Sequence, residues 1–482
     1  MDVILNKISG ILWSLPLVIL VLGAGIYFSI RMLFPQFRYL KEMFRIMSQG
    51  NDTKSGLSPV KSFIFTAART VGVGNIAGMA TAIYFGGPGA IFWLWILAIF
   101  GSGVALIEAI LAQTFRVMSN GEYRGGPAYY MEKGMKNKKI GRIFAIVYAA
   151  VTFISMTLLM PGVQAHYISY GISDAFNVPV VLVGAIFALL LAFTIFGGLR
   201  RMGSTVQKIS PFMAIIYILM SIFIIGANIE KLPAILALIF KSAFGAEQIF
   251  AGITGATISW GIKRGVYANE VGLGTSAVTA AVGEVSHPAK QGLTGALSVF
   301  IGTFFVCTTS AIMMLMTGCY NVVDGAGTMI YEGLPGVAYG NAFVSAAIDS
   351  AIPGVGAPFI AIAILCFAFV ALLAFYLYAE SNMIYLFGSN KILINILKTV
   401  FTISVFIGTV LTASTVWSLG DIGNAMFAWI NTISLFFVGG IGIKIFKDYD
   451  SQKKKGIKDP IFDPEALGID DVADCWKEKS KQ

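Results

Sequence analysis

Long apolar stretches alternate with short polar segments along most of the chain. Each stretch is long enough to cross a bilayer as an α-helix, which needs roughly 20 residues. Eleven of them centre on residues 11–33, 61–85, 89–115, 141–174, 178–197, 209–227, 248–268, 291–317, 356–386, 393–413 and 418–446. The pattern predicts an all-α polytopic membrane protein with about eleven transmembrane helices.

Two of these stretches contain glycine-rich interruptions. The stretch at 61–85 is interrupted from Thr70 to Gly78 (TVGVGNIAG), and the stretch at 248–268 from Gly252 to Gly265. A chain inside a bilayer normally keeps an unbroken helix, because no water is present to hydrogen-bond its free amides and carbonyls. Paired broken helices in corresponding halves of a chain are typical of the binding site of a secondary transporter. We therefore expect a transporter whose broken helices meet at the middle of the membrane.

The spans that follow the first helix divide into two sets of five, and each set opens with a broken helix. Because five is an odd number, the second set is inverted relative to the first. The predicted organisation is an N-terminal helix with a cytoplasmic linker at 1–60, a first repeat at 61–227, an external connector with the second repeat at 228–446, and a C-terminal tail at 447–482.

Composition and charge agree with a membrane protein. The chain is 57% hydrophobic and 12% charged, with a mean hydropathy of +0.79, whereas soluble domains carry about 25% charged residues. Nearly all of the 34 lysine and arginine residues fall in loops on one predicted side; Lys7, Lys231 and Lys241 fall on the other. Positive charge accumulates on the cytoplasmic side. We therefore expect a plasma (inner) membrane protein with its N-terminus outside and its tail in the cytoplasm, and we attribute the net charge of +9 to topology rather than to nucleic-acid binding.

The sequence gives little support for catalysis. It contains two histidines, His166 and His287, and it lacks an HExxH motif, a nucleophile elbow and a phosphate-binding loop. Its four cysteines do not have the close spacing of a zinc or redox motif. We expect no enzymatic activity, no bound cofactor apart from a coupling ion, and partners limited to a small substrate and the lipid bilayer. The oligomeric state stays open.

The chemistry of a broken helix narrows the substrate. A helix that restarts presents free amides and the positive end of its dipole, which favour an anion, while exposed carbonyls favour a cation. Glycines at Gly72 and Gly74 allow close approach of a ligand to the backbone, and Asn75 adds an amide at the same level. A carboxylate beside a cation suits an amino acid that is co-transported with a monovalent cation. The alternative, a kink packed by neighbouring helices and ordered water, stays open.

Several motifs resemble one transporter family. They are the run AARTVGVGNIAGMATAIYFGGPGAIFWLWILAIFGSGVALIEAILAQTFR at 67–116, YRGGPAYYMEKG at 123–134, FGGLRRM at 196–202, SPFMAIIY at 210–217, WGIKRGVYANEVGLGTSA at 260–277 and HPAKQGL at 287–293. Together they cover almost the whole chain and are similar to the alanine or glycine:cation symporter family. The resemblance implies a LeuT-like fold with a 5+5 inverted repeat and one extra N-terminal helix, a small neutral amino acid as substrate, and coupling to sodium.

The same resemblance implies a set of site residues. In the first broken helix, four residues are expected to bind the substrate carboxylate and a cation, and a glutamine and three residues of the other broken helix are expected to face the same cavity. The substrate-binding candidates are Thr70, Gly72, Gly74, Asn75, Gln164, Ser259, Trp260 and Gly261, and the candidate sodium contacts are Thr70, Val71 and Asn75. For Gln164 and Trp260, ordinary helix–helix contacts are the alternative.

Arg69 is an ionisable residue inside the first broken stretch, eight residues past Lys61. Eight residues of helix measure about 12 Å, too far for easy contact with the membrane surface. Intramembrane charges are usually paired and functional, so we expect an inner gate or an inter-helix ion pair. Glu108, Glu270 and Glu380 are the candidate partners.

Four positions depart from the pattern of the family. Val370 and Ala371 stand where the family commonly carries two hydroxyl residues that supply oxygen ligands to sodium, and Gly302 stands where it usually carries an aspartate. His166 replaces an asparagine two positions after Gln164. We therefore expect one sodium site to be weakened and transport to depend less on sodium, or to use protons. The alternative functions are an amino acid sensor built on a transport fold, and a proton-coupled or exchanging relative with another substrate.

Overall fold

The computed structural model describes residues 2–48, 72–119 and 121–479. We number its α-helices and strands in chain order. They are α1 (Asp2–Leu12), α2 (Leu15–Arg31), α3 (Pro35–Arg38), α4 (Leu40–Ser48), α5 (Val73–Gly86), α6 (Ala90–Thr114), β1 (Val117–Ser119), β2 (Glu122–Arg124), α7 (Pro127–Gly134), α8 (Lys138–Ile154), α9 (Pro161–Phe176), α10 (Val180–Phe196), α11 (Gly198–Ala227), α12 (Leu232–Ala243), α13 (Thr254–Asn269), α14 (Thr275–Val282), α15 (Pro288–Phe300), α16 (Thr308–Thr317), β3 (Asn321–Val323), β4 (Met329–Glu332), α17 (Asn341–Asp349), α18 (Gly356–Phe387), α19 (Lys391–Val410), α20 (Ala413–Lys454) and α21 (Asp474–Lys479).

Short non-α segments and two hairpins complete the fold. Turns of π-helix at Ser155–Leu159 and Ile301–Cys307 join α8 to α9 and α15 to α16, and 3₁₀ turns lie at Ile229–Lys231 and Gln248–Ile253. Strands β1 and β2 pair antiparallel, as do β3 and β4. Turns of π-helix inside longer helices are frequent at functional sites, so the two π segments direct attention to the helices that carry them.

The described residues contain seven helical stretches that are long and apolar enough to cross a membrane, or up to nine if each of two bent helix pairs counts as one span. The predicted spans at 61–85 and 178–197 correspond to shorter helices, α5 with 14 residues and α10 with 17. The predicted total of about eleven exceeds seven to nine because α10 is shorter than a full span and because part of the stretch 61–85 lies outside the described residues. The architecture is that of a mostly helical, multi-pass membrane protein.

Helix α5 lies at the centre of the bundle. Every side chain from Val73 to Ile83 is buried, and α5 packs against α13, α16, α17 and the second π segment. Most residues of α5 are small or apolar (VGNIAGMATAIYFG), and a helix that is apolar all round is normally enclosed by others. Small residues also let neighbouring backbones approach closely, so α5 is enclosed by the helices that it contacts.

The first break, predicted from Thr70 to Gly78, is confirmed only at Gly72, because α5 is continuous from Val73 through Gly78. Gly72 has an extended backbone, with φ −125° and ψ −164°, and the helix begins at Val73, in the middle of the apolar stretch 61–85. The residues just before Gly72 lie outside the described ranges. The structure therefore places a helix N-terminus within the apolar interior of the protein.

The second break lies elsewhere than predicted. Residues Gly252 to Gly265 were expected to be broken, but α13 is continuous from Thr254 to Asn269. The helix ends where Glu270, Gly272 and Gly274 all adopt positive φ, and α14 begins at Thr275. The prediction for 252–265 was wrong, and the interruption is at 270–274.

The glycines that suggested the wrong position serve close packing. A Cβ added to Gly261 would lie 2.4 Å from the carbonyl oxygen of Ala90, and one added to Gly265 would lie 2.7 Å from Cδ2 of Leu97. Both neighbours belong to α6. These glycines therefore let α13 and α6 approach closely, as small residues commonly do between membrane helices.

Candidate functional site

A narrow cavity lies between the start of α5 and the end of α13. It leaves about 20 Å³ for the centres of water-sized atoms, which is room for one or a few small groups. Residues from α5, the first π segment, α9, the end of α13, α18 and α20 surround it. The lining residues are Gly72, Gly74, Asn75, Met156, Met160, Gln164, Tyr267, Ala268, Glu270, Ala371, Phe375 and Asn424.

One wall of the cavity is the N-terminus of α5. The amide of Gly72 donates to Oδ1 of Asn75 (3.3 Å), and the amide of Val73 donates to Oε1 of Gln164 (3.4 Å). The free N–H groups and the dipole give a helix N-terminus a partial positive charge. A Cβ added to Gly74 would lie 2.9 Å from Cδ1 of Tyr267. Only a residue without a side chain lets Tyr267 close on the backbone here.

The side chain of Asn75 connects α5 to the second π segment. Its Nδ2 donates to the carbonyl oxygen of Gly302 (3.3 Å) and contacts Sγ of Cys307 (3.1 Å). A π segment displaces carbonyls from the regular i→i−4 pattern, and Gly302 belongs to such a segment. The backbone of Gly302 thus supplies a polar contact at a position where its side chain supplies none.

The opposite wall is the break at 270–274, and side chains from other helices brace its backbone. Oε1 of Glu108 accepts from the amide of Gly274 (3.1 Å) and from Nδ2 of Asn431 (2.6 Å), which also donates to the carbonyl of Gly272 (2.9 Å). The hydroxyl of Tyr148 donates to the carbonyl of Leu273 (2.8 Å). Backbone groups that the break frees from the helix are thereby hydrogen-bonded inside the protein, as an apolar interior requires.

A cluster of charges and aromatic rings closes the bundle beyond Tyr267, at the end where α13 and α20 begin. Nζ of Lys263 and Nη2 of Arg264 both contact Oδ2 of Asp421, at 2.6 and 2.7 Å. The guanidinium of Arg264 lies 4.1 Å from the ring centroid of Trp417. The indole of Trp417 donates to the hydroxyl of Tyr167 (2.8 Å). These contacts separate the cavity from that end of the protein.

The other end of the bundle, which we call the tail end, carries α21. The indole of Trp476 donates to the carbonyl of Gln113 (2.9 Å). Nη1 of Arg116 donates to the carbonyls of Ala281 (3.1 Å) and Gly283 (2.7 Å) at the end of α14. The tail therefore packs under the residues that hold α14 in place.

The predicted site residues separate into three groups. Gly72, Gly74, Asn75 and Gln164 line one cavity. Thr70 and Val71 lie outside the described residues, and so does the candidate gate residue Arg69. Its three candidate partners have other contacts: Glu380 pairs with Arg124 (3.4 Å), Glu270 accepts from Thr275, and Glu108 binds the second break.

The third group, Ser259, Trp260 and Gly261, does not line the cavity. The three residues lie two to three turns before α13 ends at Asn269. The ring of Trp260 stacks on Phe85 with centroids 4.5 Å apart, and Gly261 packs against α6. These three residues were expected at the cavity because the break was predicted too early in the chain. The observed break at 270–274 brings Tyr267, Ala268 and Glu270 to the cavity instead. In the sequence, the glycines at 272 and 274 were the available signal for it.

The residues that depart from the family pattern lie at or near the cavity, apart from the histidine. Ala371 lines the cavity, and Val370, the preceding residue, is buried. Neither residue has a side-chain oxygen. His166 is not among the lining residues; its Nδ1 contacts the carbonyl oxygen of Leu411 at 2.8 Å. Sequence alone also did not identify Met156, Met160, Phe375 and Asn424, because long apolar helices give little indication of which face looks inward.

Comparisons with known proteins match the chain to one transporter family. The model of the sodium:alanine symporter family matches residues 1–464. YrbD of Bacillus subtilis is 47% identical over 475 residues, which cover 98% of this chain and 97% of YrbD. The sodium/proton-dependent alanine carrier protein of Bacillus sp. PS3 is 42% identical over 91% of this chain and 98% of its own length. The sodium/alanine symporter AgcS of Methanococcus maripaludis is 30% identical over 94% of this chain and 98% of its own length.

A solved structure shares the fold. The crystal structure of MhsT in complex with L-phenylalanine covers 82% of this chain and 99% of its own, with a TM-score of 0.53 and 14% sequence identity. MhsT is a transporter of the LeuT type. At this identity the likeness shows the fold alone, and it confirms the predicted LeuT-like architecture.

Proposed function

Because the chain belongs to the sodium:alanine symporter family, we propose that it is a secondary active symporter that moves a small neutral amino acid, alanine or glycine, inward with a monovalent cation. Sodium is the default cation. The names of two relatives, from Bacillus sp. PS3 and Methanococcus maripaludis, support alanine and sodium.

The observation that carries this proposal is a helix N-terminus that opens into a small internal cavity. The substrate carboxylate would lie against the amides at the start of α5, where Gly72 and Gly74 line the cavity. Gln164 would fix the substrate from α9, and the end of α13, with Ala268 and Glu270, would face the ammonium group. The limited volume of the cavity favours a short side chain.

The coupling ion is the second part of the proposal. Asn75 would contact sodium together with Thr70 and Val71, which lie outside the described residues. A second sodium contact would be weakened, because the side chains of Val370 and Ala371 carry no oxygen and sodium is a hard ion that prefers oxygen ligands. We therefore propose that transport depends less steeply on sodium than in typical members of the family, or that protons contribute. The name of the PS3 relative, sodium/proton-dependent, supports this.

Uptake of labelled alanine into proteoliposomes under separate sodium, potassium and pH gradients tests both parts. We expect uptake that a sodium or proton gradient drives and a potassium gradient does not. The double variant Val370→Thr with Ala371→Thr should steepen the dependence on sodium, because it restores two hydroxyl groups. Ala361→Thr, at a buried position on the same helix ten residues before Ala371 and not among the lining residues, is the matched control. Steep sodium dependence in the unmodified protein would contradict the weakened site.

Counterflow separates a transporter from a sensor with the same fold. Liposomes preloaded with unlabelled alanine should accumulate labelled alanine without any ion gradient if the protein exchanges substrate. A protein that binds alanine, as seen by thermal stabilisation, but shows no counterflow would be a sensor.

The orientation and the repeats are also proposals. Lysine and arginine placement supports an external N-terminus and a cytoplasmic tail, with a first repeat at 61–227 and a connector and second repeat at 228–446. A tag that follows Gln482 should resist protease in intact cells and become accessible after permeabilisation. Cleavage in intact cells would reverse the orientation.

A further inference from the structure

Two asparagines on α20 lie seven residues apart and are equally buried, yet their surroundings differ. Asn431 is fully bonded: its Nδ2 donates to Glu108 and Gly272, and its Oδ1 accepts from the hydroxyl of Tyr130. Asn424 is 1% exposed, and neither its Nδ2 nor its Oδ1 has a hydrogen-bond partner among the described residues. A buried amide without partners is costly, so Asn424 calls for an explanation.

Asn424 lines the cavity at the start of α5. Gly420, one turn earlier on α20, faces the same region, since a Cβ added there would lie 3.8 Å from Cε2 of Tyr267 and 3.8 Å from Sδ of Met160. Residues four apart share one face of a helix. Asn424 therefore presents its amide to the cavity, next to the thioethers of Met156 and Met160 and the ring of Phe375.

The remaining cavity walls decide which part of a ligand Asn424 would meet. The positive end of α5 would hold the carboxylate, and the end of α13 would face the ammonium group. Met156, Met160 and Phe375 offer no strong hydrogen bond, so the region that they share with Asn424 suits the side chain of the substrate. In that region, Asn424 offers a polar group that neither the carboxylate nor the ammonium group of the substrate would contact.

We propose that Asn424 is a specificity-determining residue that hydrogen-bonds a hydroxyl or carboxamide group on the side chain of the substrate. This inference rests on the proposed function. It places serine and similar small polar amino acids beside alanine, because their side chains satisfy an amide that a methyl group leaves unpaired. A site built to bond a polar group discriminates strongly against the analogue that lacks it.

Isosteric pairs of competitors test the proposal. Serine and 2-aminobutyrate differ by one hydroxyl in place of a methyl group, and so do threonine and valine. In proteoliposomes, serine should inhibit uptake of labelled alanine about tenfold more strongly than 2-aminobutyrate. In Asn424→Leu, which keeps the number and branching of the side-chain heavy atoms and removes both polar atoms, the ratio should fall to about one.

Asn382→Leu is the matched control. Asn382 is buried on α18, its Nδ2 donates to the carbonyl of Tyr378 on its own helix (2.8 Å), and it does not line the cavity. The ratio should stay unchanged in this variant. If Asn424→Leu does not fold, Asn424→Ser with Asn424→Ala gives the same comparison, with the ratio kept in part by the hydroxyl and lost with the methyl group.

Each outcome decides the inference. Equal inhibition by serine and 2-aminobutyrate in the unmodified protein overturns it and indicates that ordered water satisfies the amide. An unchanged ratio in Asn424→Leu also overturns it, as does an equal loss of affinity for all substrates, which would place Asn424 at the ammonium group. Absence of alanine uptake by the unmodified protein would instead refute the proposed function.

Discussion

The start of α5 and the break at 270–274 both border the cavity, but they are built in different ways. The start of α5 is made of small, neutral residues, and Gly72 and Gly74 line the cavity there. The break at 270–274 is held from outside by Glu108, Tyr148 and Asn431. At the start of α5, the amides of Gly72 and Val73 donate to Asn75 and Gln164, which line the cavity themselves. The backbone groups at the second break are bonded to side chains that do not line it.

This difference suggests a division of roles. A braced loop keeps its geometry without a ligand, so the break at 270–274 is suited to hold α13 and α14 in a fixed relation. A helix N-terminus favours a bound anion, and the side chains that accept from the first amides of α5, Asn75 and Gln164, line the cavity where that anion would bind. The affinity for substrate should therefore depend on the shape of α5 at its start. The stability of the protein should depend on the side chains of Glu108, Tyr148 and Asn431, which brace the second break.

Removal of the brace should have the largest effect. Glu108→Ala leaves the buried amide of Gly274 without its acceptor and removes one of the two acceptors of Nδ2 of Asn431, which costs about 1–3 kcal/mol or more. We expect a clear drop in the melting temperature of the purified protein together with loss of alanine uptake. The control Glu230→Ala, at an exposed position in the Ile229–Lys231 turn, should change neither. Unchanged thermal stability in Glu108→Ala would show that the brace is dispensable.

A change in the shape of the open N-terminus comes next. Gly74→Ala places a methyl group 2.9 Å from the ring of Tyr267. Such overpacking typically costs about 1–3 kcal/mol. We expect affinity for alanine to fall about tenfold or more, a factor that corresponds to about 1.4 kcal/mol, with little loss of folded protein.

Gly78→Ala is the control for this change. It lies one turn further on α5, and its methyl group would come no closer than 3.7 Å to Trp417. Affinity should stay within about twofold, since a contact at that distance is ordinary van der Waals contact. Equal effects of the two substitutions would mean that the glycines of α5 serve helix packing alone.

Loss of a single bond in the brace should have the smallest effect. Tyr148→Phe removes the hydrogen bond to the carbonyl of Leu273 (2.8 Å), which is worth about 1 kcal/mol. We expect a melting temperature lowered by a few degrees, with uptake largely retained. Tyr217→Phe removes a hydroxyl that contacts Ser310, away from both interruptions, and should leave uptake intact. A strong loss of uptake in Tyr148→Phe alone would assign the second break a direct part in binding.

Sequence predicted the first interruption better than the second for a physical reason. Gly72 lies at the N-cap of α5, where the chain leaves the extended conformation. Gly261 and Gly265 have the same composition signal, but they lie within α13 and serve its contact with α6. Glycine marks both broken helices and tight helix pairs in membranes, so composition alone could not tell the two uses apart.

The side chains around the cavity were harder still to predict. Gln164 was identified because a glutamine is rare in an apolar helix, and the structure places it against the amide of Val73. Asn424 is likewise an amide residue in an apolar helix, but so is Asn431, seven residues later. The amide of Asn431 is bonded to Glu108 and Gly272 within the protein. Only the packing of α20 against α9 and α13 shows which of the two faces the cavity. The resemblance to the family and the LeuT-like fold, by contrast, were predicted from the sequence and are confirmed.

A structure of the protein with bound alanine and sodium tests the central claim most directly. The account predicts the substrate carboxylate within hydrogen-bond distance of the amides at Gly72 to Asn75, with Tyr267 closed over Gly74. Alanine bound beside Ser259, Trp260 and Gly261, or a cavity without substrate while alanine occupies another place, would contradict it.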